Sequence, residues 1–126
     1  MKTEDINLLT LAAKAASFKI EGISEYNFYV SDNVRTNLIW NPLNDNSDAF
    51  RLALNLGISI EADANIEVDT FTYDSITEGI YKRGCTAWYV LWNGSVIESQ
   101  QVYDGDRCKA TRLAIVTVAA ELGKIE

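Results

Sequence analysis

Asn44, Asn46 and Asp48 stand at alternate positions in NDNSDAF, the spacing with which a calcium loop begins. Such a loop needs glycine at its sixth position and an acid at its twelfth, and these places hold Ala49 and Asn55. Helix capping accounts for the stretch better. Asp104-Gly105-Asp106 precedes a helical pattern and could aim backbone N–H groups at an anion, yet it lacks the flanking glycine and lysine of a phosphate loop. A capped turn is again the simpler reading. Lys82, Arg83, Arg107, Lys109 and Arg112 are the local basic supply, and they make one anion site only if a turn at Gly84 lies beside the last helix. Aromatic residues at alternating strand positions ordinarily fill a core, which covers Trp40 and Trp88. Trp92, nearest the tip of its hairpin, is the one a partner reaches. Together with Arg83 and Arg107 it forms the candidate small-ligand site.

The 126 residues contain no histidine, which removes the commonest general base, the usual partner of a Ser or Cys nucleophile, and the commonest zinc ligand. Carboxylate chemistry needs only Asp and Glu, but no spacing favours it. The expectation is a protein that is not an enzyme, with no catalytic residues, no metal ligands and no cofactor. The two cysteines, Cys85 and Cys108, form no CxxC pair and are expected as free thiols in a reducing compartment.

Charge is concentrated. Residues 32–79 hold two basic and nine acidic groups, a net of −7 that equals the net charge of the chain. This density repels a phosphate backbone, so direct nucleic-acid binding is not expected. An acidic face instead steers toward basic protein surfaces. Asp45, Asp48, Glu61, Asp63, Glu67 and Asp69 are therefore the candidate partner-binding residues, against the plainer alternative of an ordinary solvated face. The apolar stretch LLTLAAKAA is far shorter than the roughly 20 residues a membrane span requires, and acids precede it where a secretory signal would be basic. No membrane association is expected, and the cytoplasm is the expected compartment.

The elements that must position these groups form one domain over residues 1–126. A first helix is predicted over about 5–17 with Thr3 as cap, its Leu and Ala residues on one broad face. Tyr26–Val30 and Val34–Trp40 read as a hairpin turning at Ser31, Asp32 and Asn33. Pro42 ends the second strand. A short helix follows over about 47–56, capped by Asp45 or Asn46 and stopped by Gly57, with Ala49, Leu52, Ala53 and Leu56 inward. Ile58 and Ile60 begin a strand, Asp63 and Asn65 mark a turn, and a strand over 66–73 changes phase, which predicts a bulge near Asp69 or Thr70. Asn93-Gly94 fits a two-residue hairpin joining 86–92 to 95–102. A last helix over about 107–122 is stopped by Gly123, and it carries more apolar surface than one contact face uses. Either it is sandwiched or it forms an interface, so a homodimer is an expectation. The class is α+β: an antiparallel sheet with the N- and C-terminal helices packed on it, plus one short helix.

WNPLNDNSDAFRLALNLGISI (40–60) and ATRLAIVTVAAELGK (110–124), with LLTLAAKAA near the start, resemble a family of small phage and prophage proteins described as phage αβα-sandwich domain proteins. Residues 61–84 match nothing in that pattern. The resemblance implies a phage accessory protein with helix, sheet and helix in layers, acting in the host bacterial cytoplasm. It brings no catalytic residues with it. Two functions are compatible with it: an inhibitor of a host antiviral defence system that binds a basic host protein directly, or a binder that sequesters a nucleotide immune signal.

Overall fold

The computed structural model describes residues 1–125. The described residues form α1 (Thr3–Ala15), β1 (Lys19–Ile23), β2 (Phe28–Ser31), β3 (Leu38–Ile39), α2 (Asn46–Leu56), β4 (Ser59–Tyr73), β5 (Ile76–Val90), β6 (Val96–Val102) and α3 (Arg107–Ile125). The class is α+β, with antiparallel strands and helices flanking a sheet. The strands divide between two sheets, β1-β2-β3 and β4-β5-β6, where the sequence suggested one.

Local chemistry explains most boundaries. Asp45 caps α2, its carboxylate accepting from the Asp48 N–H at 2.9 Å, and Gly57 ends the helix in the left-handed conformation at φ 76°. Ala49, Leu52 and Ala53 face inward while Arg51 and Asn55 are exposed. Asp106 caps α3 by accepting from the Lys109 N–H at 3.0 Å. At α1 the expected Thr3 cap is not used: Lys2 holds that position without a side-chain bond, and Glu4 and Asp5 supply negative charge in the first turn.

Several turn signals resolve differently. Between β5 and β6 the Gly94 N–H donates to Leu91 O and the Leu91 N–H to Ser95 O, leaving a three-residue loop with Gly94 left-handed at φ 86°. This is a type I turn with a glycine bulge, not the two-residue turn that Asn93-Gly94 suggested. The expected turn at Asp63 and Asn65 is a bulge inside an unbroken β4, and a second irregularity between Glu67 and Asp69 lies where the phase change predicted one. β1 precedes the anticipated hairpin, whose second strand shrinks to Leu38–Ile39. Ser31, within the expected turn, is the last residue of β2.

Gly84 and Gly123 are close-approach residues. Gly84 lies in mid-strand, and a Cβ there would overlap the carbonyl of Gln101. Gly123, expected as a stop signal, sits inside α3 against the carbonyl of Leu11. The excess apolar surface of α3 is consumed within the chain: α3 packs on β5 and β6, on α2, and most extensively on α1. Phe28 and Val30 complete the same core as Leu9, Leu52, Ile115 and Val116, and Trp40 meets Phe18 edge-on at 5.4 Å.

Candidate protein-binding surface

β6 pairs with β5 only from Gly84 to Val90. Beyond Gly84, β4 and β5 continue alone as a two-stranded ribbon, paired from Asn65↔Arg83 out to Tyr73↔Ile76. Seven residues of extended strand, 67–73, reach about 23 Å. The ribbon closes through Asp74 and Ser75, both left-handed at φ 49° and 65°. Two such residues form the turn whose twist matches a hairpin, at a strain that Asn-Gly would avoid. No residue from 67 to 83 belongs to the core, so this arm stands clear of the body.

Pairing sorts the arm's side chains. Directly paired residues share a face, which places Asp69, Phe71, Tyr73, Ile76, Glu78, Ile80 and Lys82 on one side. Glu67, Thr70, Thr72, Thr77 and Tyr81 lie on the other. The first side sets open apolar groups among three charges: Phe71 is 49% exposed, Tyr73 72% and Ile76 60%.

The candidate acids separate into two groups. Asp45 caps α2, and Asp48, half-buried, accepts from the Asn41 N–H at 2.9 Å. Burial raises the Asp48 carboxyl above its ordinary value, the Asn41 N–H opposes this, and the charge of Asp45 adds to it. Both residues hold the chain's own backbone. Glu61, Asp63, Glu67 and Asp69 are exposed along β4. Asp63 stands 3.8 Å from Arg83, and Asp69 accepts from the Thr70 N–H at 2.8 Å. Asp74 and Glu78, not singled out from the sequence, extend this charge to the arm's tip.

Trp92, Arg83 and Arg107 are not brought together. Trp92 is 98% exposed in the β5–β6 loop. Arg83 lies nine residues back along the chain, about 30 Å of extended strand. At Arg83's end of the sheet, its carbonyl accepts from the Tyr103 N–H at 3.0 Å, and Arg107 sits over the Tyr103 ring at 5.0 Å. Arg112 is committed elsewhere, donating to Leu43 O at 2.7 Å and to Asn46 Oδ1 at 2.6 Å. A groove of about 400 Å³ opens between α2, α3 and the start of β4, lined by Phe50, Ile60, Tyr103, Arg107, Cys108 and the buried Ile115. Nothing in the sequence pattern announced it, because its walls come from three separate elements.

Cys85 is buried, and burial holds its thiol above the ordinary value, whereas Cys108 is exposed. Among the described residues, no cluster of three or more His, Cys, Asp and Glu could hold a metal ion. Among the same residues, no helix is long and apolar enough to cross a membrane. No protein-family model, curated protein or solved structure matches the chain.

Proposed function

We propose that the chain is a non-enzymatic protein-binding module whose contact surface is the β4–β5 arm. The observation that carries this reading is the arm's composition and position: Phe71, Tyr73, Ile76 and Ile80 exposed on one side and held outside the core, with Asp69 and Glu78 among them, Asp74 at the turn and Glu67 on the opposite side. A two-stranded ribbon is marginally stable alone in water, and a contiguous exposed apolar face marks an interaction site. The acids add long-range steering toward a basic partner.

The resemblance to phage accessory proteins supplies the setting. In that setting the partner is a basic host defence protein in the bacterial cytoplasm, inhibited by direct binding. The test is capture from host lysate on the immobilised chain at about 50 and 300 mM salt, a range over which screening of exposed charge increases strongly. The proposal expects one protein to be retained at low salt and weakened at high salt. It also expects loss of that protein from a variant carrying Glu67→Gln, Asp69→Asn, Asp74→Asn and Glu78→Gln. Equal retention by the variant overturns the role of the acids.

A further inference from the structure

We infer that a hollow on the uncovered side of the β4-β5-β6 sheet receives an arginine side chain of the basic partner, held at Trp88 between Glu61 and Glu98. This rests on the protein-binding reading above and names the residue that such a partner presents.

Alternation along β5 decides which side is uncovered. Cys85 and Ala87 are wholly buried in the core shared with α3, so Thr86 and Trp88 point the other way, to the side that carries Ile76 and Ile80 on the arm. Trp88, expected in the core from its strand position, is half-buried and stands outside the core cluster. It lines a hollow of about 550 Å³ with Glu61, Asn65, Thr86, Glu98 and Gln100. That size falls within the roughly 300–1,000 Å³ typical of ligand pockets. The bulge between Glu61 and Ala64 bends β4 at this point, and both Ala64 and Asn65 reach the hollow.

Two observations point to an occupant. Thr86 is only 7% exposed, and its hydroxyl has no hydrogen-bond partner among the described residues. No fully enclosed side-chain polar atom is left unpaired, so this oxygen opens into the hollow that the residue lines. A hydroxyl so nearly enclosed is satisfied by a group from outside. The second observation is charge. Glu61 and Glu98 have no ion-pair partner among the described residues, and no lysine or arginine lines the hollow. Lys82, on the same side of β5, lies four residues from Thr86, about 13 Å of strand. Ile66 intervenes, its Cδ1 lying over Gly84.

The register selects arginine among cations. Glu61 pairs with Thr86 and Glu98 with Trp88, on strands that flank β5 from either side. Their Cα atoms are therefore about 12 Å apart, which leaves room for one guanidinium between the two carboxylates. A guanidinium offers five donors and no acceptor, and Thr86, Asn65 and Gln100 add acceptor oxygens to those of the acids. Its plane also stacks on an indole, as a lysine ammonium cannot.

The probe is the peptide acetyl-Gly-Arg-Gly-amide, titrated against the full chain and followed by NMR at the Trp88 indole N–H. Saturable shifts are expected with a Kd of about 1 mM, and the same peptide with neutral citrulline in place of arginine is expected to bind at least about tenfold more weakly. Glu61→Gln with Glu98→Gln is expected to weaken the arginine peptide by more than about tenfold, and Thr86→Val by about threefold. Both glutamates are exposed, so the double variant is expected to melt like the wild type. No shift up to about 20 mM peptide, or equal binding of the citrulline peptide, overturns the inference. Saturable shifts of the same residues by methyl N-acetylglucosaminide, with none from the arginine peptide, overturn it in favour of a saccharide. If the peptide fails while the arm's acid substitutions still abolish capture, the arginine assignment alone has failed. If the Glu61 and Glu98 substitutions lose both peptide and captured protein while the arm variant retains capture, the hollow stands and the arm reading has failed.

Discussion

Gly123 of α3 lies against the carbonyl of Leu11 in α1, so close that a Cβ would overlap the oxygen. This contact lets two alanine-rich helices approach backbone to backbone. Gly123→Ala raises helix propensity yet is predicted to destabilise by about 1–3 kcal/mol through overpacking. Thermal unfolding checks it, with Gly22→Ala as the comparison. A Cβ at Gly22 meets nothing within 4 Å, and that variant is expected to stay within about 0.5 kcal/mol of wild type.

Leu52 and Ile115 are each 3% exposed and belong to one core cluster. Truncation of either to Ala is predicted to cost about 2–5 kcal/mol, read from denaturant midpoints. An unchanged midpoint for Ile115→Ala would place the floor of the groove outside the cooperative core.

Asp48 gives a pH signature. Its carboxyl is raised in the folded chain, mainly by burial, so the native state holds that proton to higher pH than the unfolded state does. Its contribution is most favourable below the ordinary carboxylate value and is lost as pH rises through the folded value. Asp48→Asn keeps an acceptor for the Asn41 N–H and removes the titration. Its stability relative to wild type should rise between about pH 3 and pH 6. Asp48→Ala strands the Asn41 N–H and should cost about 1 kcal/mol.

The two thiols should differ in reactivity. Cys85 is fully buried with its thiol raised by desolvation, while Cys108 is exposed at the groove. Maleimide should label one site in the native protein at low concentration and the second only on unfolding. Native labelling at Cys85 would contradict its packing against β6 and α3.

What the sequence made legible was local. Asp45, Gly57 and Asp106 act through backbone groups within a few residues, and each caps or ends a helix where its residue type predicts. The phase change in β4 likewise marks a real bulge, since a period-2 pattern must shift when one residue is inserted. Gly123 and Gly84 misled because a glycine required by a distant carbonyl carries the same letter as one that ends an element. The arm's turn was hidden for another reason: Asp74-Ser75 adopts the conformation usually announced by Asn-Gly. Of the candidate acids, Glu61, Asp63, Glu67 and Asp69 share one strand. Asp45 and Asp48 proved to be engaged in capping and loop bonds that charge counting cannot distinguish from a surface.

The contact-surface claim is tested most directly by removing the arm. Glu67 and Tyr81 are paired, so replacing residues 68–80 with Asn-Gly closes the ribbon there by a two-residue turn. None of the deleted residues belongs to the core. The account predicts an unchanged melting temperature together with loss of the protein captured by the full chain. Capture at wild-type strength by the shortened, folded chain would contradict it.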